Sequence, residues 1–135
     1  MVNKAIETWH RALDTRDISI LDDLIADDAV FHSPVVHTPQ EGKQLVTWYL
    51  TGAFHVLFNE SFHYVREVID GNEAMLEFKC NIEGIEINGV DLITSSNDGQ
   101  ITDFKVLIRP LKAVNKLHEK MGEMLEQLAS ETAVS

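Results

Sequence analysis

Ala74-Met75-Leu76-Glu77-Phe78-Lys79-Cys80-Asn81-Ile82-Glu83 alternates apolar and polar side chains, and this stretch with its continuation to Arg109 decides the fold. Alternation with a period of two is the pattern of a β-strand that buries one face. Glu83-Gly84 turns the chain. In the next run Ile85, Ile87 and Ile93 share a face with Asp91, while Glu86, Asn88, Val90, Leu92 and Thr94 share the other. Asn97-Asp98-Gly99 signals a tight hairpin, after which Thr102, Phe104, Val106 and Ile108 alternate with Asp103, Lys105, Leu107 and Arg109. The stretch predicts an antiparallel meander in a curved sheet around an apolar cavity. It also leaves one carboxylate, Asp91, on the apolar face.

Upstream, Ser61 to Ile69 reads as a further strand, its alternation blurred by His63, Tyr64 and Arg66 and ended by Asp70-Gly71. Val2, Ala5, Ile6, Trp9, Ala12 and Leu13 recur at helical spacing, with Trp9 at the centre of the stripe. Asp17 is positioned to cap a short helix through Ile25 that ends at Asp27-Asp28, and a strand follows from Ala29 to Ser33. Thr38-Pro39-Gln40-Glu41 has the capping-box pattern, with Gly42 as the alternative start of a third helix that runs to about Leu57. Its expected apolar face is Leu45, Tyr49, Ala53 and Val56, flanked by Trp48, Gly52 and His55. Pro110 closes the last strand, and Leu111, Val114, Leu117, Met121, Leu125 and Leu128 mark a C-terminal helix. Helices gathered on one face of a mostly antiparallel sheet give an α+β fold.

At 135 residues and 44% hydrophobic content the chain is expected to form one domain with its own core over residues 1–128, with 129–135 as a frayed tail. A net charge of −11 repels phosphate backbones and anionic lipid heads, so nucleic acid and membranes are poor partners. The N-terminus lacks a signal-peptide core, and the single cysteine, Cys80, fits a reducing cytoplasm. The six histidines are scattered without ligand spacing, and no motif calls for a metal or a cofactor.

Leu21-Asp22-Asp23-Leu24-Ile25-Ala26-Asp27-Asp28-Ala29-Val30-Phe31, Gly42, Gly89-Val90-Asp91 and Asp98-Gly99-Gln100-Ile101 carry a resemblance to the nuclear transport factor 2-like superfamily. Within it the chain is similar to the SnoaL-like group of polyketide cyclases, ketosteroid isomerases and limonene epoxide hydrolases. The resemblance covers about residues 3–109, leaving the helix at 111–128 as an addition. It implies a cone: a strongly bent sheet wrapped by three N-terminal helices, an apolar pocket at the open end, and homodimerisation through the outer face of the sheet. Tyr64, Arg66, Glu77, Lys79, Leu107 and Arg109 are expected on that outer face. The isomerase's carboxylate base corresponds to Ser33, its tyrosine donor to Trp9 and its protonated aspartic acid to Asp91. The acidic residue of the hydrolases and cyclases corresponds to Val106.

The resemblance implies a small apolar ligand in the cone, with acid–base chemistry of isomerase, cyclase or hydrolase type led by Asp91. The alternative is a non-catalytic binding or assembly domain. Burial in an apolar cavity would favour the neutral acid of Asp91 and make it a proton donor. The competing reading is a structural carboxylate that bonds local backbone amides or lies outside a bulge. His32 and His37 bracket the loop at the expected mouth and are candidates for the general base, with alternation favouring His37. Helix residues expected to touch the ligand are Trp9, Leu13, Trp48, Tyr49, Phe54 and Phe58. The strands would add Phe31, Ser33, Phe78, Cys80, Phe104 and Val106, although periodicity alone also places most of these aromatics in the core.

Overall fold

The computed structural model describes residues 3–134, with side chains through residue 131. Val2, expected on the stripe of the first helix, lies outside the described residues. Helix α1 spans Lys4–Thr15, capped by Asn3, whose side chain accepts from the Ile6 amide at 3.0 Å. It buries Ala5, Ile6, Trp9 and Ala12, as its periodicity predicts. Helix α2 is confined to Ile20–Leu24. Asp17 lies before it and bonds the Ser19 amide at 3.1 Å, bracing the turn without capping the helix.

Strand β1 covers Ile25–His32 and starts earlier than expected. Its partner register moves from Ile25 against Ile101 to Val30 against Asp103, an irregularity that turns Asp27 and Asp28 out to solvent while Ala26 and Ala29 stay buried. Gln40–Glu41 form a two-residue strand β2 against Phe31 and Val30, so their backbone is taken by the sheet and the capping box does not form. Helix α3, Lys43–Leu57, starts after Gly42. Its buried face is Val46, Leu50, Phe54 and Leu57, rotated by about one residue from the expected set. The helix is apolar on most of its circumference and packs on both β1 and α4, so periodicity does not single out one face.

Strands β3 (His63–Asp70), β4 (Glu73–Ile82), β5 (Ile85–Ser95) and β6 (Ile101–Arg109) complete a six-stranded sheet in the order β2-β1-β6-β5-β4-β3. Among the described residues only β1 and β6 pair in parallel. On β4 the alternation predicts the burial well: Ala74, Leu76, Phe78, Cys80 and Ile82 all face inward. On β5 Ile87, Asp91 and Ile93 are buried together. Gly89 lies between Phe78 and Ile108 on the neighbouring strands, and a Cβ there would come within 2.4 Å of Phe78 Cζ and 2.7 Å of Ile108 Cδ1. The missing side chain lets the Phe78 ring fold across β5.

On β3 the pairing passes from Tyr64 opposite Phe78 to Arg66 opposite Glu77, leaving Val65 as an extra residue. Phe78 points into the cone and Glu77 away from it, so Tyr64 faces inward although Arg66, two residues on, faces outward. This corrects the expectation that both lie on the outer face. Out there Arg66 bonds Glu77 at 2.8 Å, Asn88 bonds Glu77 at 3.1 Å and Arg109 bonds Asn88 at 3.2 Å, a polar ladder across four strands.

Helix α4, Leu111–Val134, continues beyond the expected end at 128. It packs on α3, β5 and β6 through Ala113 and Leu117, while Leu111 is 74% exposed and does not belong to the buried stripe. No helix among the described residues is long and apolar enough to cross a membrane.

Candidate functional site

The inner face of the sheet, α1 and α3 enclose an aromatic floor. Trp9 meets Phe104, Phe54 and Phe58 edge-on at ring-centroid distances of 5.0, 5.9 and 6.0 Å. Phe62 stacks on Phe78 at 5.1 Å, and Phe31 on Tyr49 at 5.9 Å. Above this floor is a cavity of about 180 Å³ whose wall includes Trp9, Phe78, Phe104 and Asp91.

Asp91 is 4% exposed. Its partner is Tyr64, whose hydroxyl donates to Asp91 Oδ2 at 2.7 Å, and Trp9 Nε1 in turn donates to the Tyr64 oxygen at 2.9 Å. Burial, and next the charge of Asp91, holds the Tyr64 phenol well above its usual range, which fixes it as the donor. Burial pushes the Asp91 carboxyl up to about 7, against the Tyr64 bond, which favours the anion. The structural-carboxylate reading has Asp91 bonding local backbone amides or lying outside a bulge; here it accepts from the Tyr64 side chain and is buried within a regular stretch of the β4–β5 pairing. With Oδ2 engaged by Tyr64, Oδ1 is the oxygen free to meet a ligand. A carboxyl that titrates near neutrality in an apolar cavity can donate a hydrogen bond when neutral or accept a proton when charged.

The cavity brings together most of the expected ligand contacts. From the helices it takes Trp9, Tyr49 and Phe58; from the strands and the following loop it takes Phe31, Ser33, Phe78, Phe104 and Val106. Four others are placed elsewhere. Phe54 is buried behind Trp9, and Cys80 is buried on β4 away from the cavity wall. Leu13 borders a separate depression with His10 and Tyr64, while Trp48 borders a groove between the start of α3 and the end of α4. Ser33, at the position of the isomerase's base, accepts from the Val35 and Val36 amides at 3.1 and 3.3 Å and so braces the loop.

His32 and His37 are not in the Asp91 cavity. His32 Nε2 lies 2.9 Å from Asp103 Oδ1, because alternation on β1 turns it to the opposite face from Phe31. His37 borders the same outer depression as His32. The histidine that does line the cavity is His118 of α4, beside Leu117, Met121, Gly122 and Leu125. Tyr64 and His118 were not assigned to the site from sequence; the stripe of Leu117, Met121 and Leu125 was expected to dock on the cone or a partner, but not to line the cavity. A break in alternation around Tyr64 was the visible signal for the first; for α4 the apolar stripe marked a docking face, while its place at the cavity depends on contacts distant in sequence.

A family model described as a SnoaL-like domain matches residues 6–104. No curated protein matches. Among solved structures the chain is similar to a steroid delta-isomerase from Pseudomonas aeruginosa, at 36% identity and a TM-score of 0.86, covering 98% of this chain and 97% of that one. It is similar to an uncharacterized protein with a cystatin-like fold from Silicibacter pomeroyi, at 31% identity and a TM-score of 0.82, covering 90% and 85% of the two chains. An NTF2-like protein of unknown function from Mesorhizobium loti, 19% identical with a TM-score of 0.66 over 79% of this chain and 92% of that one, shares the fold. With a bent, unclosed sheet, helices on its inner side and a family match over most of its length, the chain belongs to the SnoaL-like group of the NTF2-like superfamily.

Proposed function

We propose that this protein binds a small, largely apolar carbonyl compound in the cone and catalyses acid–base chemistry of isomerase type on it. The observation that carries this reading is Asp91, a carboxyl buried in an otherwise apolar cavity and raised to about 7. In its neutral form Asp91 donates through Oδ1 to the carbonyl oxygen and stabilises the oxyanion that develops when a neighbouring carbon loses its proton. Tyr64 and Trp9 act behind it, holding the carboxyl in place by the hydrogen bonds at 2.7 and 2.9 Å. His118, on the cavity wall, takes the proton-accepting role that sequence reading gives to His37 or His32. The similarity to a protein named as a steroid delta-isomerase supports the reaction type. The free thiol of Cys80 is consistent with a reducing, cytoplasmic setting.

A second reading, a non-catalytic binding domain, is favoured by one observation: the base position is Ser33, whose hydroxyl is committed to the loop. The test is conversion of a β,γ-unsaturated ketone to its conjugated isomer, followed by absorbance for the parent and for Asp91→Leu and His118→Ala. Turnover that collapses in both variants supports the isomerase reading. Retention of a small molecule in native mass spectra, with no turnover of any ketone offered, supports the binding reading.

A further inference from the structure

We propose that α4 is the specificity element of the site, setting the length of the cavity so that it accepts a compound of about one ring with one hydrogen-bonding oxygen facing Asp91. The proposal deepens the carbonyl-binding reading above and rests on it. The family match ends at residue 104, so α4 is outside the matched cone. Yet Leu117, Met121 and Leu125 of this helix line the cavity. Pockets for drug-sized ligands run to about 300–1,000 Å³, whereas an apolar cavity of about 150 Å³ suffices for benzene. At about 180 Å³ this cavity is in the one-ring class.

Two features press α4 into this position. Gly52 of α3 faces it directly: a Cβ at Gly52 would lie 3.2 Å from Met121 Cε and 3.3 Å from Leu125 Cδ2. The absent side chain lets the two helices pack closely, with the ends of Met121 and Leu125 seated against α3 at the edge of the cavity. On the sheet side, Lys116 and Lys120 both pair with Glu83 in the β4–β5 turn, Lys116 at 3.4 Å. Length along the cavity is therefore set by side chains that could be trimmed without touching Asp91, Tyr64 or Trp9.

The test is calorimetric titration of the full chain with cyclohex-2-enone, 1-tetralone and a four-ring steroid enone at a pH below the Asp91 midpoint. The parent is expected to bind the one-ring ketone and to reject the four-ring one. Met121→Ala combined with Leu125→Ala should improve affinity for the larger ketones by about tenfold or more. Gly122→Leu provides a second variant that adds bulk at the wall where a Cβ meets nothing within 4 Å, and it should weaken the one-ring ketone by a similar factor. Equal affinity of the parent for all three ketones, or wall variants that leave the size preference unchanged, would overturn the role of α4 alone. If size preference shifts as expected but Asp91→Leu, which has no donor, binds every ketone like the parent, the wall assignment stands and the donor reading fails. Failure of the parent and of both wall variants to bind any of the three ketones overturns both.

Discussion

Replacing Asp91 with asparagine keeps an oxygen to accept from Tyr64 and removes the ionisable group, so it isolates what burying this carboxyl costs. Burial raises the carboxyl from 3.8 to about 7. Each tenfold change in ionisation corresponds to ~1.36 kcal/mol, so the interval amounts to ~4 kcal/mol. The sign follows from which state holds the proton. At a pH below the unfolded value both states are protonated and the carboxyl has no effect on stability. Between about pH 4 and pH 7 the unfolded chain releases a proton that the folded chain keeps, and stability falls by ~1.36 kcal/mol per pH unit. Above about pH 7 the cost is constant. Asp91→Asn is therefore expected to match the parent near pH 4 and to exceed it by ~2–4 kcal/mol near pH 8, the lower figure applying if water in the cavity relieves part of the desolvation. Urea unfolding of both proteins at a series of pH values measures this directly, with equal m-values showing that the same surface is exposed. A variant less stable than the parent at pH 8, or a difference that does not change with pH, would refute the reasoning and return Asp91 to a structural anion.

Three further substitutions have expected outcomes. Tyr64→Phe removes the hydrogen bond that favours the Asp91 anion, so the Asp91 carboxyl carbon should titrate above its parent value in NMR spectra; a lower midpoint would contradict the direction of that bond. The same change strands the Trp9 indole N–H and should lower stability by about 1–3 kcal/mol. Gly89→Ala forces a methyl against the Phe78 ring and should cost at least about 1–3 kcal/mol, read as a fall in melting temperature; an unchanged melt would show that the ring is free to move aside. The outer face of the sheet, where Val68 and Leu107 are each 52% exposed beside the Arg66–Glu77 pair, is proposed as a homodimer interface. Light scattering should then give twice 15.2 kDa, and Leu107→Glu should halve it; a monomeric parent at micromolar concentration would remove the proposal.

The parts of the fold that were legible in sequence are those governed by neighbours along the chain. Strict alternation from Ala74 to Ile82 and the glycine turns after Glu83 and Asp98 predicted the meander, its inward face and the burial of Asp91. What depended on distant partners was not legible. Tyr64 and Arg66 are two residues apart and would share a face on a regular strand, but Val65 inserts between their pairings and separates them. The face of α3 was ambiguous because apolar side chains surround most of the helix, and only docking against β1 and α4 selects Val46, Leu50, Phe54 and Leu57. Of the candidate site, one-sided burial places Asp91 and much of the aromatic wall on the inner face, where they line the cavity. His32 and His37 were brought in by closeness in sequence to β1, whereas the histidine on the wall is His118, more than eighty positions beyond them.

Cys80 carries a consequence of a different kind. Its side chain is 2% exposed on the inner face of β4, opposite Ile87, and burial pushes its thiol up to about 11. A thiol held protonated and out of solvent is inert to alkylation, which requires an exposed thiolate. Modification must therefore wait for β4 to separate from its neighbours, and because the chain has a single cysteine, each labelled molecule records one such event. Labelling rate followed against urea would date the opening of the middle of the sheet without any engineered probe, separating local fraying from global unfolding by its dependence on denaturant.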